Sequence, residues 1–594
     1  MLENKISQLF DRAERIGVIG SPSSTTELGL DILAGAVTKK LVGELALFRY
    51  LQDAHSHYAL GQITEITLRN VWHEDPTMRS LIRQRGKVDA VSERQDTHQG
   101  EMVVSAVFAD ESGGYRPSSL GTVPATGTPI ALAEDSVLDE LLSPYKDQLF
   151  YLGHVYGSQP KLPLWFKHFS SGPSGAGEAY HIGIFGKTGS GKSVLAKAIL
   201  LAYAKHPEMG LFIFDPQGEF SSGLTSPPTR LSMGQILCPD TLQGLNRKFE
   251  VYDLSRFRLG TWELFVELLA EFGFFEELGI KWGDYQETAA DYVLDLFRGN
   301  AKHKLSGLGD EDFQAALNHL DKNVHRIYST KSTIEKVQGF IAEALQKLSK
   351  GEFSPVKKKW DQTIEFFDAG SGKMKIDTIV SNALRVNGSR PIIIVNLSKK
   401  PDDIPNAVWD DKIKPLLLDS FLSSLIRQAE RAYEQKQSLN TLVVLDEASR
   451  FAPEGQATNE RKQRIKGRLV DAVRTTRKYG LGWMFLSQTL SSLDAEIIQQ
   501  LRISFFGFGL SMGAEFRKLQ ELVGGQGKHL KLYQQFRDPQ SSFDASSQEY
   551  SFMTIGPVSP LSFSGTPLFF NAFNRAEDFM QANTGRSLIF ETIS

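Results

Sequence analysis

The sequence predicts an α/β protein: a parallel sheet wound with helices, preceded by a small β-rich module and interrupted by a helical insertion. Three observations carry this reading. Wholly apolar runs such as Leu211-Phe212-Ile213-Phe214, Ile392-Ile393-Ile394-Val395 and Leu442-Val443-Val444-Leu445 alternate with helical stretches, as strands buried on both faces do. The residues before about 130 instead form short alternating or apolar runs punctuated by Gly, Pro and Ser. From about Leu254 to Leu384 the apolar residues recur at helical spacing, as in Thr261 to Phe274 and Asp312 to Ile327.

Composition bounds the possibilities. A chain of 594 residues is too long for one compact core. Its 66 Lys plus Arg against 70 Asp plus Glu leave a formal charge of −4, so no global field draws it to nucleic acid, and any DNA site must be a local patch. Cys238 is the only cysteine, which excludes an internal disulfide and a cysteine-built metal site. No stretch approaches the roughly 18 uninterrupted apolar residues of a membrane span, and Met1-Leu2-Glu3-Asn4-Lys5 does not begin a secretory signal. The expectation is a cytoplasmic protein with no membrane partner.

In chain order, Arg15 to Ile19, Leu45 to Tyr50, Gly61 to Leu68 and Met102 to Phe108 read as strands of a small barrel or sandwich, within a module assigned to 1–145 with its connector. Residues 146–255 are assigned to the first part of the α/β core, 256–385 to the helical insertion and 386–594 to the second part of the core with a C-terminal extension.

The chemistry is announced by Gly186-Lys187-Thr188-Gly189-Ser190-Gly191-Lys192-Ser193, which matches the phosphate-cradling pattern G-x-x-x-x-G-K-[ST] at every fixed position. His181 to Phe185 reads as the strand entering this loop and Val194 to Leu201 as the helix leaving it. The glycines turn backbone N–H groups toward phosphates, Lys192 reaches the β/γ-phosphates, and Ser193 offers a hydroxyl to Mg²⁺. The expected ligands are therefore an NTP, taken as ATP, and Mg²⁺. Asp446, at the tip of the strand Leu442 to Leu445, is placed to hold the Mg²⁺ shell, and Glu447 to polarise the attacking water. Gln488 ends the next strand, where an amide can sense the γ-phosphate; a helix cap is the plainer alternative. Arg474 and Arg477 lie on a basic helix continuing Arg461, Lys462, Arg464, Lys466 and Arg468. Such a run is either a solvated face or a source of guanidinium for a neighbouring subunit's nucleotide.

Together with Asp215-Pro216-Gln217-Gly218-Glu219-Phe220, Leu445-Asp446-Glu447-Ala448, Arg474-Thr475-Thr476-Arg477-Lys478-Tyr479-Gly480 and Leu486-Ser487-Gln488, the phosphate loop resembles the motif set of HerA, in the HerA/FtsK group of hexameric DNA-translocating ATPases. The front module, with Leu120-Gly121-Thr122-Val123-Pro124, resembles the HerA N-terminal barrel. The resemblance implies a RecA-like P-loop NTPase core, with Arg477 as trans-acting arginine finger, Gln488 as polar sensor, Glu447 as catalytic carboxylate, and Asp215 and Glu219 in or near the nucleotide site. Gln217 departs from the family, which usually has histidine there. A homohexamer acting on double-stranded DNA with a nuclease or sirtuin-like effector is implied, as in antiviral defence modules; for such a motor the basic residues Arg461, Lys462 and Arg464 are the expected DNA contacts, since phosphate binding needs charge. The alternative is a nucleotide-dependent platform that organises the effector. A protein-remodelling AAA+ motor fits the phosphate loop but not Asp215-Pro216-Gln217-Gly218-Glu219.

Overall fold

The computed structural model describes residues 5–584, apart from 86–94, 112–113, 173–174, 227–230, 301, 371, 386–387, 403, 458–459, 525–529, 545–546 and 563–564.

The front module is a closed antiparallel barrel. Its strands are β1 (Arg15–Ile19), β2 (Leu28–Ile32), β3 (Leu45–Gln52), β4 (His55–Asn70), β5 (Asp96–Glu111) and β7 (Pro129–Leu132), and β6 (Gly114–Ser118) extends β5 outside the ring. The order β2-β1-β7-β3-β4-β5 closes because β5 also pairs with β2, which removes both free sheet edges. Period-two patterning decides what each face touches. Ala46, Phe48, Ala59 and Ile63 fill the barrel interior, while Leu45, Leu47, Tyr58 and Leu60 join a cluster shared with Ile6, Phe10, Val137, Leu138 and Leu141 and with the α/β core behind them. The barrel is therefore packed onto the core by continuous apolar surface.

The core is one sheet. Seven parallel strands run in the order β12 (Phe249–Tyr252), β15 (Ile392–Asn396), β11 (Gly210–Asp215), β16 (Thr441–Leu445), β17 (Leu481–Ser487), β10 (Ile182–Phe185), β18 (Ile503–Phe506). Antiparallel strands β19 (Tyr550–Ile555), β20 (Leu568–Ala572), β8 (Phe150–Val155) and β9 (Lys161–Leu164) complete it. The apolar runs are continuous because both faces are covered. Leu211 and Ile213 enter the layer of helix Lys192–Ala204, whereas Phe212 and Phe214 enter the opposite layer with helices Lys414–Glu434 and Glu460–Thr476.

Between β12 and β15 the described residues form seven α-helices, from Trp262–Glu271 to Ile376–Leu384, on a base formed by the short parallel pair β13 (Phe257–Arg258) and β14 (Met374–Lys375). Their own core gathers Phe265, Phe274, Phe297, Phe313 and Trp360. The expected architecture of α/β core, front barrel and inserted helical subdomain is what the structure contains. No helix among the described residues is long and apolar enough to cross a membrane.

Candidate active site

Strand order assembles the site. Strand β17 lies between β10, which carries the phosphate loop, and β16, which carries Asp446 and Glu447, so the tip of β17 must sit between phosphate and carboxylate. Gln488 occupies that tip and bridges the two: its Oε1 accepts from Thr188 Oγ1 at 3.2 Å and its Nε2 donates to Glu447 Oε1 at 2.9 Å. Gln488 is thereby held between the phosphate loop and Glu447.

The loop itself depends on glycine where the backbone turns. Gly186 has φ 154° and lies so close to Ser190 that a β-carbon would stand 2.6 Å from its hydroxyl. Gly191 has φ 88° and precedes the helix Lys192–Ala204, whose first N–H groups face the loop. Lys192 Nζ donates to the carbonyls of Gly186 at 2.7 Å and Lys187 at 3.1 Å, curled over the loop where phosphates would lie. Burial lowers its pKa, opposed by the charges of Glu447, Asp446 and Glu219.

The carboxylates are arranged unequally. Asp446 is buried, accepts its neighbour's amide at 2.9 Å, and has its pKa pushed up to about 7 by burial first and then by Glu219, Glu447 and Asp215. Glu447 sits in left-handed backbone with φ 51°, a conformation that non-glycine residues hold only when their surroundings enforce it. That twist turns its side chain toward Gln488. Asp215 is wholly buried and spends both oxygens on backbone amides, Gly218 at 2.9 Å, Phe220 at 3.1 Å and Ser221 at 2.8 Å. It shapes the turn that carries Glu219, and Glu219, exposed, is the residue whose charge is felt at Lys192, Lys197 and Asp446.

This acid-rich cluster fits Mg²⁺. Burial and then the neighbouring carboxylates raise the Asp446 pKa, a charge penalty that a divalent cation would relieve, and the half-buried Ser193 hydroxyl has no hydrogen-bond partner among the described residues. Ser193 and Asp446 would hold the ion, which neutralises phosphate charge when bound. The raised pKa also sets a pH dependence. The folded state binds the Asp446 proton more tightly than the unfolded chain, so the stability linked to protonation is full below about 4 and is lost as pH rises through about 7. Asp446→Asn should therefore raise the melting temperature of the nucleotide-free protein more at pH 8 than at pH 5. Equal shifts at both pH values in thermal scans would contradict this.

Two sequence-predicted groups lie elsewhere. Arg477 follows the helix Glu460–Thr476 and precedes β17, whereas Gln488 follows β17. The seven-residue strand separates them by roughly 20 Å, so Arg477 stands at the opposite end of the sheet from its own phosphate loop. Its side chain is 43 % exposed and its guanidinium pairs with Glu178, and Arg474 pairs with Glu496. The helix end is anchored: Trp483 Nε1 donates to Thr476 Oγ1 at 3.0 Å, and His181 Nε2 bonds to the Val473 carbonyl at 2.9 Å.

The three basic residues expected on DNA are instead engaged within the chain. Arg461 lies between Glu267 and Glu271 of the insertion, Lys462 meets Asp411 at 3.3 Å, and Arg464 faces Glu267 at 3.5 Å and Asp419 at 3.6 Å. Arg461 in particular is only 15 % exposed, so it offers no free basic surface and pins the insertion to the core.

Sequence reasoning placed Thr188 in the phosphate loop but passed over Gln540 and Tyr550. A β-carbon on Gly189 would collide with the Gln540 amide, and one on Gly191 would stand 2.7 Å from the Tyr550 ring. The C-terminal part of the chain thus lines the phosphate loop. An aromatic opening a strand was the available signal, but nothing local ties it to a loop encoded far upstream. Tyr550→Ala is expected to weaken nucleotide binding roughly tenfold, the loss of about 1.4 kcal/mol of contact. Unchanged affinity in equilibrium titration would reduce the ring to a packing role.

The family model described as "Helicase HerA, central domain" matches residues 179–408. No curated protein matches the chain. Among solved structures, VirB4 of Thermoanaerobacter pseudethanolicus aligns at 14% identity over 73% of this chain and 98% of that one, with a TM-score of 0.35. The genome packaging NTPase B204 of Sulfolobus turreted icosahedral virus 2, in complex with AMPPCP, aligns at 10% identity over 66% and 98%, with a TM-score of 0.28. The bacterial conjugative coupling protein TrwB, in complex with sulphate, aligns at 13% identity over 58% and 74%, with a TM-score of 0.30.

Proposed function

We propose that this chain, whose residues 179–408 match the HerA central-domain model, is a HerA-like P-loop ATPase working as a homohexameric ring motor that translocates double-stranded DNA for an effector enzyme. One observation carries the shared-site part of this reading. Arg477 is half-exposed, anchored and about a strand's length from its own phosphate loop, so a catalytic guanidinium at this position can act only on the nucleotide of another subunit. Within one subunit the phosphate loop, Asp446, Glu447 and Gln488 supply binding, metal holding, water activation and sensing, while the arginine comes from the neighbour. A cyclic head-to-tail arrangement satisfies every copy at once.

The front barrel is assigned to ring assembly or effector docking, since catalysis needs nothing from it. A nuclease or sirtuin-like enzyme is the class of effector expected, in an antiviral role. The engagement of Arg461, Lys462 and Arg464 in internal ion pairs favours a second reading, the nucleotide-dependent platform that organises the effector without moving DNA.

ATP turnover of the purified chain with and without duplex DNA, together with the mass of the assembly, separates the two. The motor reading expects a hexamer whose turnover rises several-fold with duplex and falls back at high salt, as phosphate contacts do. A hexamer indifferent to duplex DNA supports the platform, and a monomer with full turnover overturns both.

A further inference from the structure

At the far end of helix Lys192–Ala204, about 20 Å from the phosphate loop, His168, His206 and Glu208 converge. Each offers one ligand atom, and the three atoms lie within 4.8 Å of one another. The two imidazoles meet edge to face at 5.1 Å between ring centres, and His168 Nε2 lies 3.8 Å from a Glu208 carboxylate oxygen. His168 is buried, and Glu208 is 45 % exposed and so able to adjust.

The surroundings are rigid. His206 and Glu208 occupy a turn clamped by the buried guanidinium of Arg247, which donates to the carbonyls of Ala204, His206 and Met209. Asn440 locks both walls: its Oδ1 accepts from the Phe169 amide beside His168 at 2.8 Å, and its Nδ2 donates to the Glu208 carbonyl at 3.4 Å. His206 Nε2 lies 2.9 Å from the Phe166 carbonyl, so Nε2 carries the proton and Nδ1 keeps its lone pair. A ring nitrogen tied to a backbone carbonyl, with the other left to ligate, is the usual support of a metal-bound histidine.

We propose that His168, His206 and Glu208 bind one transition-metal dication, zinc being the best match, which staples the loop after β9 to the turn before β11. Two imidazole nitrogens and one carboxylate oxygen are a zinc donor set, with a water completing the tetrahedron, and are unsuited to Mg²⁺ or Ca²⁺, which demand oxygen. Ligand atoms of tetrahedral zinc stand about 3.3 Å apart, a closure that the half-exposed Glu208 can supply by changing rotamer. The role is structural, because the nucleotide chemistry lies at the other end of the helix.

The test uses the untagged full chain, stripped with chelator and titrated with Zn²⁺ in competition with a chromophoric chelator. One equivalent per chain is expected, with a rise in melting temperature that EDTA reverses. His206→Gln is the discriminating variant, since glutamine can still donate to the Phe166 carbonyl but lacks the imidazole lone pair. It should fold and bind nucleotide yet lose the equivalent, and Glu208→Gln should weaken zinc at least tenfold. If the wild type takes up no zinc, or if His206→Gln retains the same stoichiometry and thermal shift, the cluster is only a packing contact among His168, His206 and Glu208.

Discussion

Glu447→Gln is expected to leave ATP binding intact while lowering turnover by about two to four orders of magnitude. The amide keeps the size and polarity of the side chain, so Gln488 can still bridge toward Thr188, but it cannot accept a proton from the attacking water. Binding should tighten slightly if anything, because one carboxylate leaves a cluster whose mutual repulsion already raises Asp446. Pre-steady-state measurement distinguishes a chemical defect from slow product release, since the variant should show no burst of phosphate. Loss of nucleotide affinity together with turnover would instead make Glu447 a structural or metal-holding residue. Its left-handed backbone offers a second check, as Glu447→Gly relieves the φ 51° strain and should restore stability without restoring activity.

The parts of this molecule that are local in sequence were legible before the structure. A phosphate loop is eight consecutive residues, and strands buried on both faces betray themselves by unbroken runs such as Leu442 to Leu445. The position of Gln488 was legible as a polar residue at a strand tip, but its bridge to Thr188 and Glu447 depends on β17 lying between β10 and β16, which is a matter of strand order. Non-local pairing hides more. Strands β8 and β9 join the sheet beside β20, and Tyr550 opens β19 against Gly191, with no periodicity to announce either.

Charge was the least legible feature, because its meaning depends on what faces it. Arg461 reads as a basic loop residue until Glu267 and Glu271 of the insertion close around it. Asp215 reads as a nucleotide-site acid, but which atoms it holds is visible only in the fold, where the amides of Gly218, Phe220 and Ser221 occupy its oxygens and set the turn that carries Glu219.

Arg477→Ala should bind ATP normally and hydrolyse it about 10³–10⁵-fold more slowly, the span that trans-acting arginines contribute in other phosphoryl-transfer sites. A guanidinium is permanently charged and forked, so it can stabilise charge on the transferring phosphoryl oxygens in a way that Lys192 alone cannot. In the single chain Arg477 is held by Glu178, and this pair must open for the arginine to reach across a subunit boundary. Both side chains are substantially exposed, so the pair itself is a weak restraint, and Glu178→Gln should leave turnover within a few-fold of wild type. Mixing Arg477→Ala subunits with Lys192→Ala subunits then decides the geometry. Each variant alone is inactive, but a mixed ring contains interfaces in which an intact Lys192 faces an intact Arg477, provided that subunits exchange and the ring tolerates dead sites. Partial recovery of ATPase activity is expected, greatest near equal proportions, because the productive pairing requires one subunit of each kind. No recovery in rings shown by native mass spectrometry to be mixed would count against the shared site, leaving strict coupling among all subunits or an action of Arg477 through its own subunit, where a strand's length separates it from the phosphate loop.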